Sequence, residues 1–315
     1  MALGSPVAVA SRTMLDPSLR CAAPPAVSGC SIGLHQPQDS EGVPYYLYVP
    51  RYVDPTARPL VSVHGILRKV EEHIAAFAPW AEDNGRILLA PLFAEAQYRR
   101  YQKVVLDKHQ ADRALIAALN DVADATGHDT TRIDLFGFSG GAQFAHRFAM
   151  LHPERFGRLV VCSAGWYTRP DAYEAYPYGL APEPRSARRG KRSNGPRFRP
   201  NLRAFLDIPV LVLVGERDVE RDLTLRKEPM LDRRQGLNRV ERAKRWSDSL
   251  REVAGQIGAT ADARLQLLPD CGHSFEECVR NGGLTDVVAR WLDRLESGCE
   301  RSRLPEAEHE PATRR

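Results

Sequence analysis

The stretch Ile133-Asp134-Leu135-Phe136-Gly137-Phe138-Ser139-Gly140-Gly141-Ala142-Gln143-Phe144-Ala145-His146 decides how this chain folds. Its first residues form an apolar run of strand length, and a helical pattern begins at Gly141 and continues towards Glu154. Gly137-Phe138-Ser139-Gly140-Gly141 joins the two. A serine held in a tight strand-to-helix turn projects its hydroxyl away from the backbone. Its neighbours must be small, because strand and helix cross closely there. Gly137, Gly140 and Gly141 meet that need, and the helix start adds a favourable dipole and free N–H groups. A glycine-rich loop that only turns the chain could carry the same letters, but the flanking strand and helix supply the context a reactive serine demands. Nucleotide readings fail on spacing, since the turn has neither Gly-x-Gly-x-x-Gly nor a closing Lys-Ser/Thr.

Outward from this turn the rhythm repeats. Strand-like runs at 45–50 (YYLYVP), 59–65 (PLVSVHG), 86–93 (RILLAPLF), 158–165 (RLVVCSAG), 208–216 (IPVLVLVGE) and 263–269 (ARLQLLP) alternate with helical patterns. Those patterns begin near residues 70, 106, 239 and 284. A run such as VLVLVG is apolar on both faces, as expected of a parallel strand covered by helices on each side. The reading is an α/β protein with a mostly parallel central sheet and helices on both faces, one domain over 41–297. Residues 1–40 read as a loose proline-containing extension and 298–315 as a solvated charged tail. The interval 166–207 has no period and is too long for an ordinary connection, so it reads as an irregular excursion over the catalytic edge.

Composition narrows the function classes. The 315 residues are 43% hydrophobic and carry 44 basic against 40 acidic side chains, a net of +4. That excess is too small to argue for nucleic acid. No apolar run approaches the roughly 20 residues of a membrane span. The start lacks a basic segment before its short apolar stretch, so a cytoplasmic location is expected, with export left open. The six scattered cysteines read as reduced thiols, and a Cys271–Cys278 pair would follow only from export. No Cys/His cluster has zinc spacing, and neither metal nor organic cofactor is expected. The oligomeric state is not readable.

A serine hydroxyl needs a neighbouring base, and imidazole suits neutral pH. Among nine histidines, His273 sits in the loop 270–275 after the last strand-like run, where the chain order Ser, Asp, His requires a base. His146 and His152 are expected to face solvent or cap the helix after the turn, and His73 and His109 fall in helical patterns. Asp218, delivered by the end of VLVLVGERD, is the candidate for orienting the imidazole, with Asp207, Glu216, Glu220 and Asp222 as nearby competitors. For an oxyanion hole the candidates are the N–H groups of Gly140 and of Ile66, which follows Val63-His64-Gly65. His64 is expected to shape that loop.

Together these residues resemble the α/β-hydrolase superfamily: His64-Gly65 after an early strand, the Gly-Phe-Ser-Gly-Gly turn, the acid after a late strand, then the histidine. HPERF at 152–156 is similar to an ending common in these enzymes, and the likeness covers about residues 40–297. Within the superfamily the spacing is similar to the polyhydroxybutyrate-depolymerase and feruloyl-esterase group. The resemblance implies hydrolysis of a small-molecule carboxylic ester through an acyl-enzyme. A peptidase or acyltransferase would use the same residues, and a non-catalytic binding protein could share the fold. Serine rather than aspartate at the turn points away from dehalogenase and epoxide-hydrolase chemistry, and no helical cap is evident. In the excursion, Trp166 and Tyr167 are expected to line the substrate site, with Tyr173, Tyr176 and Tyr178 beside them. Arg185, Arg188, Arg189, Lys191, Arg192, Arg197, Arg199 and Arg203 either attract an anionic substrate or are simply solvated.

Overall fold

A computed structural model describes residues 31–106, 109–182 and 198–294. Eight strands form one sheet in the order β1-β2-β4-β3-β5-β6-β7-β8. They are β1 (Ser31–His35), β2 (Tyr45–Val49), β3 (Leu60–Val63), β4 (Leu88–Pro91), β5 (Ile133–Phe138), β6 (Phe156–Cys162), β7 (Val210–Gly215) and β8 (Ala263–Leu268). β1/β2 and β2/β4 are antiparallel, and every other pairing is parallel. The helices are α1 (Val70–Asp83), α2 (Ala111–Thr126), α3 (Gly140–Leu151), α4 (Leu202–Leu206), α5 (Pro229–Gln235), α6 (Arg239–Gln256), α7 (Phe275–Arg280) and α8 (Leu284–Leu292).

The central strands are apolar throughout because each face meets its own layer of helices. Successive side chains point to opposite faces. In β7, Val210, Val212 and Val214 therefore join a core with Leu115 of α2, Phe144 and Phe148 of α3, and Trp246 of α6. Leu211 and Leu213 pack on the other side with Ile74 and Phe77 of α1 and Val288 and Trp291 of α8. β5 divides in the same way, Ile133 and Leu135 to one core, Phe136 and Phe138 to the other. At the foot of β5, the fully buried Asp134 carboxylate is held by Arg58 (3.1 Å) and Arg86 (2.7 Å).

Two expectations need correction. The extension was to be loose up to residue 40, yet Ser31–His35 pairs along the whole of β2. A five-residue edge strand with a glycine at its centre gives little periodic signal. Residues 1–30, including Cys21 and Cys30, lie outside the described residues, as do Cys299 and the tail. His146 does not face solvent. It is completely buried between α3 and α6, where its ring lies 5.3 Å from that of Trp246. His152 does follow the end of α3, at its C-cap. The excursion is irregular as far as residue 182 and ends in α4; Arg185 through Arg197 lie outside the described residues.

Candidate active site

The parallel strands end together at one edge of the sheet, and three loops deliver side chains there. β5 runs directly into Ser139, whose φ of 52° and ψ of −111° are strained for a residue with a side chain. The turn survives because Gly137, Gly140 and Gly141 around it have none. A Cβ on Gly141 would lie 2.0 Å from the Val63 carbonyl oxygen, and one on Gly137 would lie 2.4 Å from that of Gly141. The Ser139 N–H donates to the Cys162 carbonyl (2.8 Å), which ties the turn to β6.

Ser139 Oγ lies 3.0 Å from His273 Nε2, and His273 Nδ1 lies 2.8 Å from Asp218 Oδ2. An ionised carboxylate can only accept, so Nδ1 carries the proton facing Asp218 and Nε2 is left to accept from the serine hydroxyl. The structure thus brings together three residues that are 134 and 55 positions apart in sequence. The Phe138 ring lies against the imidazole at 5.4 Å. A cleft of about 410 Å³ opens beside Asp218 and His273, bordered by Arg217, Glu220 and Glu277. A larger one, about 500 Å³, lies at the opposite ends of the strands, between Arg132, Phe156 and Pro209, away from Ser139.

Across from the serine, the loop after β3 is fixed from several sides. Buried His64 donates from Nδ1 to the Gly65 carbonyl (2.7 Å) and accepts at Nε2 from the Phe93 N–H (3.1 Å). Burial pushes its pKa down to about 4, so the ring is neutral at pH 7 and shapes the loop. Tyr101 donates to the His64 carbonyl (2.6 Å), and Arg68 donates to the carbonyls of Ile66 (2.6 Å) and Phe93 (2.8 Å). This framework sets the Ile66 N–H beside the first turn of α3: a Cβ built on Gly140 would lie 3.3 Å from the Ile66 nitrogen. Among the described residues neither the Ile66 nor the Gly140 N–H donates to another protein group. Tyr101 carried no sequence signal; nothing local links it to a loop 37 positions earlier.

The expected aromatic contacts are placed differently. Tyr167 has no exposed surface and stacks on Trp246 at 4.6 Å, with its main chain paired to the Gln235 amide (2.9 and 2.8 Å). Trp166 is 5% exposed and lies 4.2 Å from the guanidinium of the fully buried Arg147. Both are therefore core residues of the excursion, because α3, α5 and α6 close over them. Tyr173 is exposed, and Arg203 pairs at the surface with Asp207 (3.9 Å). Cys271 and Cys278 are free thiols, so the conditional pair is not formed. Among the described residues no group of three or more His, Cys, Asp or Glu side chains is placed to hold a metal ion. No described helix is long and apolar enough to cross a membrane.

No protein-family model matches the sequence, and a search of curated proteins returned no match. Solved structures do match. A poly(aspartic acid) hydrolase from Sphingomonas sp. KT-1 superposes with a TM-score of 0.68 at 26% identity, covering 84% of this chain and 98% of that one. A poly(3-hydroxybutyrate) depolymerase from Bordetella parapertussis superposes with a TM-score of 0.65 at 24% identity, covering 84% and 90%. The chain has the α/β-hydrolase fold. Ser139 occupies the turn after β5, and Asp218 and His273 lie on the loops after β7 and β8.

Proposed function

We propose that this α/β-hydrolase is a serine hydrolase that cleaves a small carboxylic ester through an acyl-enzyme, with no metal or organic cofactor. The observation that carries the reading is the continuous chain from Ser139 through His273 to Asp218, at 3.0 and 2.8 Å, beside two unengaged N–H groups. Ser139 Oγ attacks the carbonyl carbon while His273 Nε2 takes its proton. Asp218 stabilises the imidazolium and holds its orientation. The oxyanion is bound by the N–H groups of Gly140 and Ile66. Collapse expels the alcohol, protonated by His273, and water then repeats the sequence on the acyl-serine. Exposed Ile66 and Leu67 on the loop after β3 and exposed Val219 on the loop after β7 offer apolar contact to an uncharged acyl or alcohol group.

A fluorophosphonate probe tests the assignment. The wild type is labelled and Ser139→Ala is not; equal labelling of the mutant removes Ser139 from the mechanism. A panel of p-nitrophenyl esters of increasing chain length, with one aromatic acyl ester, then reads the preference.

One observation favours a second reading. The polymer in the name of the Sphingomonas protein is joined by amide bonds, and that protein is 26% identical over most of this chain. The same residues would serve an amidase, or an acyltransferase if an acceptor replaced water. Comparing an ester and an amide of one acyl group separates these.

A further inference from the structure

Asp218 uses only one carboxylate oxygen on His273. The other, Oδ1, accepts from Arg239 Nη1 at 3.1 Å, and both side chains are 1% exposed. Arg239 is the first residue of α6, and its guanidinium reaches a second carboxylate as well. Nη1 donates to Asp222 Oδ2 (3.0 Å), and Nη2 donates to Asp222 Oδ1 (3.2 Å) and to Thr224 Oγ1 (2.6 Å). Asp222 is itself anchored: its Oδ1 accepts from the Thr224 N–H (2.7 Å), the Thr224 hydroxyl (2.8 Å) and the Leu225 N–H (2.8 Å). Burial pulls its carboxyl upward, but the bonds from Arg239 and Thr224 outweigh this and hold it well below the usual carboxylate range.

The charges show why two carboxylates share one guanidinium. A buried Asp218 needs a countercharge, and Arg239 is the cation placed to give it. Alone, however, that cation would cancel Asp218 and oppose an imidazolium at His273. Asp222 restores the balance, leaving one net negative charge facing the imidazole. Other groups face the same histidine. Arg217 is paired with Asp270, and Glu220 and Glu277 border the cleft. On the buried side the Tyr167 phenol and the Cys271 and Cys278 thiols interact with Asp218; burial raises the pKa of Tyr167 and Cys271, and a hydrogen bond with Cys162 together with burial raises that of Cys278, so all three are neutral.

We propose that Arg239 and Asp222 are positioning residues for the proton relay: Arg239 fixes the free oxygen of Asp218, and Asp222 cancels the charge of Arg239. This rests on the serine-hydrolase reading above.

The test is the second-order rate of fluorophosphonate inactivation as a function of pH, which reads Ser139 and His273 without reference to substrate. It is measured on the full chain, with thermal midpoints alongside. Asp222→Asn leaves Arg239 uncompensated, so the acidic limb moves to lower pH. Arg239→Gln removes the cation, so the limb moves to higher pH and the plateau rate falls. Each displacement is about one pH unit, as expected for one charge at an effective dielectric near 20. Arg239→Lys keeps the charge and returns the limb towards the wild-type position. Opposite displacements support the relay, since a purely structural role has no sign. Unchanged limbs, or displacements in one direction, overturn it, whatever happens to stability. If Arg239→Gln fails to fold, Asp222→Asn decides alone, because Asp222 is 31% exposed and its loss buries no unpaired carboxylate. A wild type that is not labelled overturns the underlying reading, a result distinct from normal labelling with unmoved limbs.

Discussion

Replacing Gly140 with alanine tests the proposed oxyanion hole without touching Ser139, His273 or Asp218. The added methyl would sit 2.8 Å from Ile66 Cγ2, 2.9 Å from Tyr101 Oη and 3.3 Å from the Ile66 nitrogen. The Ile66 side chain is partly exposed and can swing aside. Tyr101 cannot move without giving up its 2.6 Å bond to the His64 carbonyl, which is worth about 1 kcal/mol. Overpacking of this kind costs about 1–3 kcal/mol. Gly140 lies in α3 with a negative φ, so alanine returns about 0.5–1 kcal/mol of helix preference. The net loss of stability is therefore small, about 0–2.5 kcal/mol. Catalysis should suffer more, because the methyl, 3.3 Å from the Ile66 nitrogen, crowds the space in which the proposed oxyanion would bind. Loss of one such donor lowers turnover by about 10²–10³, or 2.7–4 kcal/mol. The assay is kcat/KM on p-nitrophenyl acetate beside urea unfolding. Wild-type turnover from a folded Gly140→Ala protein would refute the placement of the hole.

Four further outcomes follow from the same contacts. Ser139→Gly releases a strained backbone worth about 1–3 kcal/mol against about 0.5–1 kcal/mol of added chain freedom, so Tm should rise by a few degrees while probe labelling vanishes. A fall in Tm would mean the turn is unstrained. Asp134→Asn strips two arginines of their buried partner and should lower unfolding stability by about 3 kcal/mol, read by urea titration, with kcat of the folded fraction unchanged. His64, His73 and His146 are all buried and held below the ordinary histidine value by burial. The unfolded chain binds the extra protons, so their stability is complete above about pH 6.5 and is lost as pH falls towards the folded values; His64 alone accounts for about 3 kcal/mol by pH 4. A denaturation midpoint that stays flat from pH 7.5 to 4.5 would contradict this. Finally, Tyr101→Phe frees the His64 carbonyl and should lower kcat/KM about tenfold with a smaller change in KM, since it loosens the loop that presents the Ile66 N–H. An unchanged kcat would show that His64 and Arg68 hold the loop without it.

Much of this protein was legible in the residue order because the signals concerned are local. Strands apolar on both faces report helices on both sides of a parallel sheet, as β5, β6 and β7 show. Glycines around Ser139 report a crossing too close for side chains, and the values of 2.0 and 2.4 Å bear that out. The order Ser139, Asp218, His273 follows from strands that end at one edge. Partners distant in sequence left no such trace. Whether Tyr167 meets substrate or Trp246 depends on how a loop folds back beneath α6, and no period marks that. His146 and His273 are the same residue type, yet burial makes one a structural ring and a loop edge sets the other against Ser139. Asp218 and Asp222 look alike four positions apart and both reach Arg239; only the contact of Asp218 with His273, 55 positions away, separates them. Periodicity records which face of an element is buried; it does not record which side chain, tens of residues away, fills the space opposite. That was decided by tertiary packing alone.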